Sequence, residues 1–214
     1  MKKSLFVIFF VLLLDQTLKF WIKTHLYLGE EINIAGRWFI IHFTENPGMA
    51  YGMELGGSYG KLFLSLFRIV AVGGIIWYLM DLIKKKAPSG LLISMSLILA
   101  GALGNIIDSV FYGVVFSDSS MEIGRFLPAN GGYASFLHGK VVDMLYFPII
   151  ESRFPTWFPF FGGESFVFFR PVFNIADSSI SIGVALILLF QSSYFVKKEK
   201  RASEEEKAEL QHDL

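Results

Sequence analysis

The chain has 214 residues, of which 53% are hydrophobic, and its 19 basic and 19 acidic side chains leave no formal net charge. Because there is no excess of positive charge to attract phosphates, the composition argues against a nucleic-acid partner. The absence of cysteine excludes disulfides, thiolate catalysis and cysteine metal sites, and four scattered histidines lack the spacing of a zinc enzyme, so no metal or other cofactor is expected.

Four apolar blocks are each close to the ~20 residues that a helix needs to cross the hydrocarbon core of a bilayer. They are Ser4–Lys23, Leu62–Ile83, Leu91–Gly113 and Val172–Val196. The first block begins like a secretory signal, but no small-x-small cleavage site follows it, so it is interpreted as an uncleaved span. The predicted fold class is an all-α membrane protein with four transmembrane helices, formed by a single domain over residues 1–196.

Lysine and arginine mark three segments as cytoplasmic: the first residues, the connection 84–90 (KKKAPSG) and the run 197–201 (KKEKR). Both termini are therefore expected in the cytoplasm, with residues 197–214 as a charged tail. The segments 25–61 and 114–171 are expected on the outer side of the membrane.

The two outer segments have different patterns. In the first, the sequence WFIIHF alternates side chains along an extended chain, and Ala35-Gly36 before it suits a turn. This pattern predicts a hairpin and a small extracytoplasmic β-sheet on the membrane surface. The second, FPIIESRFPTWFPFFGGESFVFFR, is rich in Phe and Trp and broken by Pro and Gly, which favours an interfacial outer loop acting as a lid or belt.

Polar residues occur within the third and fourth spans, where lipid-facing side chains would be apolar. In the third span, Gly101, Gly104, Asn105 and Asp108 share one helical stripe that another helix could approach closely. A matching stripe in the fourth span contains Asn174, Asp177, Ser181 and Ala185. The glycines indicate helix packing, and the asparagines are open to two interpretations, hydrogen bonding between helices or a functional site.

Charged residues also occur in the first two spans. Asp15 and Lys19 are four residues apart on one helical face, with the acid first, and are interpreted as a structural ion pair. Arg68 lies in an apolar run and needs an acceptor inside the bundle, for which Asp108 or Asp15 is the predicted partner. Arg68 is equally consistent with a packing counter-ion and with a substrate contact.

Three aspartates suggest chemistry. Asp108 and Asp177 lie at the outer ends of spans, and Asp143 lies in VVDML, where apolar neighbours predict a raised pKa. Two carboxylates brought together share one proton, so that one serves as base and the other as acid toward water. The alternative function is a small proton-coupled transporter that uses such acids as a relay. The acids crowd toward one face of the membrane, which favours the enzyme.

Five blocks follow one another along the chain: DQTLKFWI from Asp15, ENPGMAYGM from Glu45, AGALGNIIDS from Ala100, VVDM from Val141 and FNIADSSISIG from Phe173. Together they resemble the lipoprotein signal peptidase (signal peptidase II) family. The resemblance implies a multi-pass aspartic endopeptidase of the bacterial cytoplasmic (inner) membrane that needs no cofactor. It would remove signal peptides from diacylglyceryl-modified prolipoproteins at the outer face, with these substrates and membrane lipid as its partners, and would act as a monomer.

The resemblance also implies roles for individual residues. Asp143 and Asp177 would form the catalytic pair. Substrate binding or support of the site would fall to Asn46, Gly48, Asn105, Asp108 and Asn174, and support of the scaffold to Asp15 and Lys19.

The chain departs from the family pattern in two places. Ser109 stands where the family commonly has arginine, so a polar contact is either lost or supplied from elsewhere. The outer loop 117–140 is longer than usual, which makes Asp118 an alternative catalytic acid to Asp143. Asp143 is favoured because Asp118 is followed by serines, as in a solvated turn, and because the Pro, Asn and Gly residues of the loop can return the chain.

Overall fold

The structure is a computed structural model that describes residues 1–48, 57–148, 150–153, 155–168 and 171–212. Its helices are α1 (Lys2–His25), α2 (Gly57–Lys84), α3 (Ser89–Ile107), α4 (Gly113–Val115) and α5 (Ile175–His212), and a π-helical turn, Asp108–Tyr112, joins α3 to α4. Within the described ranges, four stretches are long and apolar enough to span a membrane: Lys2–His25, Tyr59–Lys84, Ser89–Val115 and Ile175–Tyr194. The prediction of four spans is confirmed.

The strands form two antiparallel sheets. They are β1 (Glu31–Ala35), β2 (Phe39–Asn46), β3 (Val141–Tyr146), β4 (Ile150–Arg153), β5 (Ser165–Phe168) and β6 (Val172–Phe173). One sheet has the order β1-β2-β3-β6, and β4 and β5 pair separately as a hairpin. The predicted hairpin in the first outer segment is confirmed as β1 and β2, and the aromatic segment predicted as an outer loop contains the β4–β5 hairpin.

The fourth span begins later than predicted. Val172 and Phe173 belong to β6, which pairs with the end of β3, so the predicted start at Val172 is wrong and α5 starts at Ile175. The reason is that Val and Phe suit a strand as well as a membrane helix. Helical backbone continues through the predicted charged tail to His212, with a non-helical residue at Phe190.

Small residues bring α3 against α5, as the glycine stripe predicts. A Cβ added at Gly101 would overlap the backbone carbonyl of Ala176, and one added at Gly104 would lie 2.7 Å from the carboxylate of Asp15. Both positions therefore require glycine. The close approach places the C-terminal end of α3 beside the first turn of α5, where the polar residues of both helices meet.

A hydrophobic core fixes the sheet to the C-terminal end of α1 and to the π-helical turn that follows α3. It contains Ile22, Leu26, Ile41, Phe43, Tyr112, Phe116, Val142 and Met144. Val142 and Met144 flank Asp143 in β3, so this core determines where that aspartate lies relative to the bundle. The segment 117–140 leaves α4 and returns to it, because the Gly139 N–H donates to the Ser109 carbonyl (2.9 Å) and the Ala134 N–H to the Gly113 carbonyl (2.8 Å). The predicted return of the chain is confirmed.

Candidate active site

Asp143 is buried in β3 and held by two amide side chains. Asn174 Nδ2 donates to Asp143 Oδ1 (2.7 Å), and Asn46 Nδ2 donates to Oδ2 (3.3 Å). Burial raises the pKa of Asp143 to about 7, and the nearby Asp177 carboxylate acts in the same direction, while the two amides act in the opposite direction. The Asp143 side chain therefore keeps its proton at pH values well above the ordinary pKa of a carboxyl group.

Asp177 lies in the first turn of α5 and takes part in the cap of that helix. The Asn174 side chain accepts from the Asp177 N–H (2.9 Å), and Asp177 Oδ2 accepts from the Asn174 N–H (3.4 Å). This reciprocal pair is the geometry of a capping box. Asn105 Nδ2 donates to the other carboxylate oxygen of Asp177 (2.8 Å). Asn174 thus contacts both aspartates and links β3 to α5.

The predicted pair Asp15–Lys19 is present (2.9 Å) and is part of a larger group. Lys19 Nζ also contacts Asp108 (2.8 Å), and the three side chains are buried. We call Asp15, Lys19 and Asp108 the Lys19 cluster. Gln16 donates to Asp108 (3.0 Å).

The Lys19 cluster also binds the backbone beside each of the two candidate acids. Asp108 accepts from the Val142 N–H (3.2 Å), and Asp15 accepts from the Ala176 N–H (2.9 Å). Val142 and Ala176 immediately precede Asp143 and Asp177, respectively. A single ammonium group therefore holds both carboxylates that position the two aspartates.

The predicted pairing of Arg68 with Asp108 or Asp15 is wrong. Arg68 Nη2 donates to the Gly48 carbonyl (2.6 Å) and Nη1 to Ser109 Oγ (3.3 Å). Among the described residues, no carboxylate oxygen lies within 4.0 Å of its guanidinium, because Lys19 occupies both predicted partners. A guanidinium does lie beside Ser109, where the family commonly has arginine, but it belongs to Arg68 of α2.

Asn46 and Gly48 form a turn that faces this arginine. The Asn46 side chain accepts from the Gly48 N–H (2.8 Å) while its amide contacts Asp143. Gly48 has a φ of +101°, and a Cβ there would lie 3.0 Å from Arg68 Nη1, so both backbone conformation and space require glycine. The residues that follow in the same block, 49–56, lie outside the described ranges.

A second buried ion group was not predicted. Lys23 pairs with Glu45, and Glu45 also contacts Lys140 (3.1 Å); we call Lys23, Glu45 and Lys140 the Lys23 cluster. Lys23 Nζ donates to Ser119 Oγ (2.9 Å) and lies 4.7 Å from the centroid of the Tyr133 ring. The signal in the sequence was that Lys23 follows Lys19 by four residues, which places both ammonium groups on one face of α1.

Asp118 is exposed in the long outer loop. Its carboxylate accepts from the Ser120 N–H (2.7 Å), as in a solvated turn. The structure places Asp143, rather than Asp118, in contact with Asn174.

A family model for signal peptidase (SPase) II matches residues 7–193. The chain belongs to the signal peptidase II family. It is therefore a peptidase, and nothing in these similarities supports the transporter alternative.

The peptidase is 55% identical over 184 residues to the lipoprotein signal peptidase of Porphyromonas gingivalis, covering 86% of this chain and 80% of that protein. It is 41% identical over 179 residues to the lipoprotein signal peptidase of Amoebophilus asiaticus, covering 82% and 72%. A structure of a bacterial membrane enzyme solved in meso at 1.9 Å resolution is 26% identical, with a TM-score of 0.59, covering 88% of this chain and 92% of that chain.

Proposed function

We propose that Asp143 and Asp177 are the catalytic pair of an aspartic endopeptidase that removes signal peptides from diacylglyceryl-modified bacterial prolipoproteins. The observation that carries this proposal is that both carboxylates accept hydrogen bonds from Asn174: Asp143, in a strand, from its side-chain amide, and Asp177, in the first turn of a membrane span, from its backbone N–H. Two acids that differ in environment are suited to opposite roles in proton transfer.

In this mechanism Asp143 carries the proton and Asp177 is the base. Asp177 accepts hydrogen bonds from Asn105 (2.8 Å) and from the Asn174 N–H (3.4 Å), which orient its carboxylate. It takes a proton from a water molecule, whose oxygen attacks the scissile carbonyl, while Asp143 donates its proton to the carbonyl oxygen. When the C–N bond breaks, the proton on Asp177 passes to the leaving amine and one hydroxyl proton of the intermediate returns to Asp143, so that one water is consumed per peptide bond and both side chains regain their starting protonation.

The surrounding residues divide between substrate contact and support. Asp108 and Asn174 are fully buried and satisfied by protein partners, so they support the site. Asn105 does the same by linking Lys19 to Asp177 (3.0 and 2.8 Å). Asn46 contacts Asp143 and Arg68 contacts the Gly48 carbonyl, so this turn and the arginine are suited to binding the substrate backbone beside Asp143.

The location follows from the same arrangement. The aspartates lie at one end of the bundle, beside the sheet, and the basic connection at 84–86 lies at the opposite end of α2. By the distribution of lysine, both termini face the cytoplasm, and cleavage occurs at the outer face of the inner membrane. A lipid-modified substrate can reach this level without its acyl chains leaving the bilayer. We propose that one chain is sufficient for activity.

The test is cleavage of a purified diacylglyceryl-modified prolipoprotein by the purified chain, with the unlipidated form in parallel. We expect cleavage of the lipidated form only. Asp143→Asn and Asp177→Asn should each lower turnover by at least about a hundredfold, since removal of one acid or base has effects of this size. Asp118→Asn is the matched control and should retain activity.

Folding is checked separately by gel filtration and thermal unfolding of each variant. Near-normal turnover by a folded Asp143→Asn or Asp177→Asn protein would refute the assignment of the pair. Equal cleavage of lipidated and unlipidated substrates would refute the substrate class while leaving the pair intact.

A further inference from the structure

The β4–β5 hairpin ends in an exposed aromatic tip, residues 155–163 (PTWFPFFGG). Trp157 is 78% exposed and Phe160 is 96% exposed, and Phe158 and Phe161 are also exposed. A contiguous group of large aromatic side chains in water is unusual for a protein surface and marks a site of interaction.

The backbone that presents these side chains is strained at Phe160. Phe160 has a φ of +70°, in the left-handed region where residues other than glycine are strained. The turns around it are closed by hydrogen bonds from the Phe158 N–H to the Pro155 carbonyl (2.9 Å) and from the Glu164 N–H to the Phe161 carbonyl (3.0 Å). A side chain held outward by a strained and ordered turn is typical of a functional position.

Along the chain, the hairpin lies between two strands of the main sheet, β3 and β6, just before the fourth span. β3 leads into β4, and β5 leads into β6, after which α5 enters the membrane at Ile175. At the base of the hairpin, Phe147 stacks on Phe39 (4.8 Å between centroids) and lies 6.3 Å from the exposed ring of Trp38. Exposed aromatic side chains therefore occur at the base and at the tip of one arm.

We propose that the aromatic tip inserts into the interfacial layer of the same bilayer that the four helices cross. Trp is enriched at the boundary between lipid headgroups and acyl chains, because its ring is apolar and its N–H is polar. The tip contains no charged residue, and Arg153 and Glu164 flank it. Contact with lipid therefore depends on apolar burial, and it does not require anionic headgroups.

The absence of cysteine allows a direct test, because a single introduced cysteine is the only site for a spin label. Thr156→Cys places the label at the edge of the tip and leaves all four aromatic side chains in place. Met121→Cys is the aqueous control, since Met121 is 93% exposed in the outer loop, and Leu189→Cys is the lipid control, since Leu189 is 74% exposed within the fourth span.

The labelled full-length proteins are placed in phosphatidylcholine nanodiscs, and collision rates with oxygen and with a water-soluble nickel chelate are measured. We expect the Thr156 label to show a ratio of oxygen to nickel collisions between those of the two controls. Addition of an anionic lipid should leave this ratio unchanged. A ratio equal to that of the Met121 label would overturn the proposal.

The contribution of the aromatic side chains is tested in the same background. Trp157→Ser and Phe160→Ser, combined with Thr156→Cys, should move the label into water, so that its nickel collision rate rises to that of the Met121 label. An unchanged rate would show that these rings do not carry the insertion. If the tip is shielded only when a prolipoprotein is added, it binds protein substrate and the membrane proposal is wrong. None of these measurements depends on catalysis, so they stand or fall separately from the proposed function.

Discussion

Lys19 and Lys23 lie one helical turn apart on α1, but the clusters around them have formal net charges of opposite sign. The Lys19 cluster has two acids and one base, and the Lys23 cluster has two bases and one acid. In the first, the surplus negative charge faces N–H donors from Val142, Ala176 and Gln16. In the second, the surplus positive charge faces the Tyr133 ring and Ser119 Oγ, and Lys140 is partly exposed. Each buried imbalance is stabilised by dipoles of the appropriate sign.

The two clusters also differ in what they hold. The Lys19 cluster contacts the backbone next to both candidate acids, whereas the Lys23 cluster joins α1 to β2 and to the long outer loop. On one face of α1, Lys19 therefore supports the candidate active site and Lys23 supports the sheet. The difference predicts distinct phenotypes for the same substitution at the two positions.

Lys19→Met should have the largest effect. It leaves Asp15 and Asp108 buried together with no cation, and loss of one partner from a buried ion pair costs about 3 to 5 kcal/mol. We expect a large decrease in the midpoint of thermal unfolding in detergent and a loss of activity. Lys85→Met is the matched control, because Lys85 forms an exposed i, i+4 pair with Asp81 (2.6 Å). Equal stability of the two variants would contradict the structural role of the cluster.

Lys23→Met should destabilise the protein less, by about 1 to 3 kcal/mol, because Glu45 keeps Lys140 as a partner. The expected result is a lower unfolding midpoint with turnover per folded molecule changed by less than about tenfold. A variant that is as stable as the parent but inactive would show that the Lys23 cluster acts on the chemistry, and the proposed division between the clusters would fail.

The pH dependence sharpens the same comparison. Because the pKa of Asp143 is raised to about 7, the free enzyme should lose its proton donor above that pH, and kcat/KM should then fall about tenfold per pH unit. Lys23→Met should keep this alkaline limb, since its cluster does not contact Asp143. An alkaline limb that moves with the Lys23 substitution would contradict this.

The same pKa has a consequence for stability. Below pH 3.8, the ordinary pKa, Asp143 is protonated in both the folded and unfolded chains; between pH 3.8 and about 7 only the folded chain keeps the proton. Stability should therefore fall as pH rises through this window, and Asp143→Asn should reduce that slope in thermal unfolding measured against pH.

Asp15→Asn should have the smallest effect on chemistry among the cluster variants. An asparagine oxygen can still accept from the Ala176 N–H, and Asp108 still pairs with Lys19. We expect a lower unfolding midpoint and near-parental turnover per folded molecule. A fully stable but inactive variant would place Asp15 in the catalytic site.

Whether a contact could be predicted from the sequence depends on how far apart its residues lie along the chain. The Asp15–Lys19 pair is visible because both residues lie on one helix, but the contact of Lys19 with Asp108 joins residues 89 positions apart. The partner of Arg68 was predicted wrongly for the same reason: helix periodicity gives the direction of a side chain and does not identify the neighbouring element. The Lys23 cluster joins α1, β2 and the end of the outer loop 117–140, and no local pattern indicates such a meeting.

The candidate catalytic residues could be picked out from the family motifs, but the secondary-structure elements that carry them could be predicted only in part. The block FNIAD contains its own helix start, because Asn174 and Asp177 have the spacing of a capping box. Hydropathy obscured this start, since Val172 and Phe173 in β6 are as apolar as the span that follows. The π-helical turn at Asp108–Tyr112 has no sequence signal comparable to a cap or a proline.

The position of Lys19 also has a consequence for biogenesis. α1 leaves the ribosome before α3 and α5, and at that stage Asp15 is the only other member of the cluster that can accompany Lys19 into the bilayer. The i, i+4 pair lets these two opposite charges enter the bilayer together and neutralise each other. Asp108 arrives with α3, and the Ala176 N–H arrives only with α5. Asp143 and Asp177 are therefore brought together only once α5 has been inserted, so a chain that still lacks α5 has an incomplete candidate site.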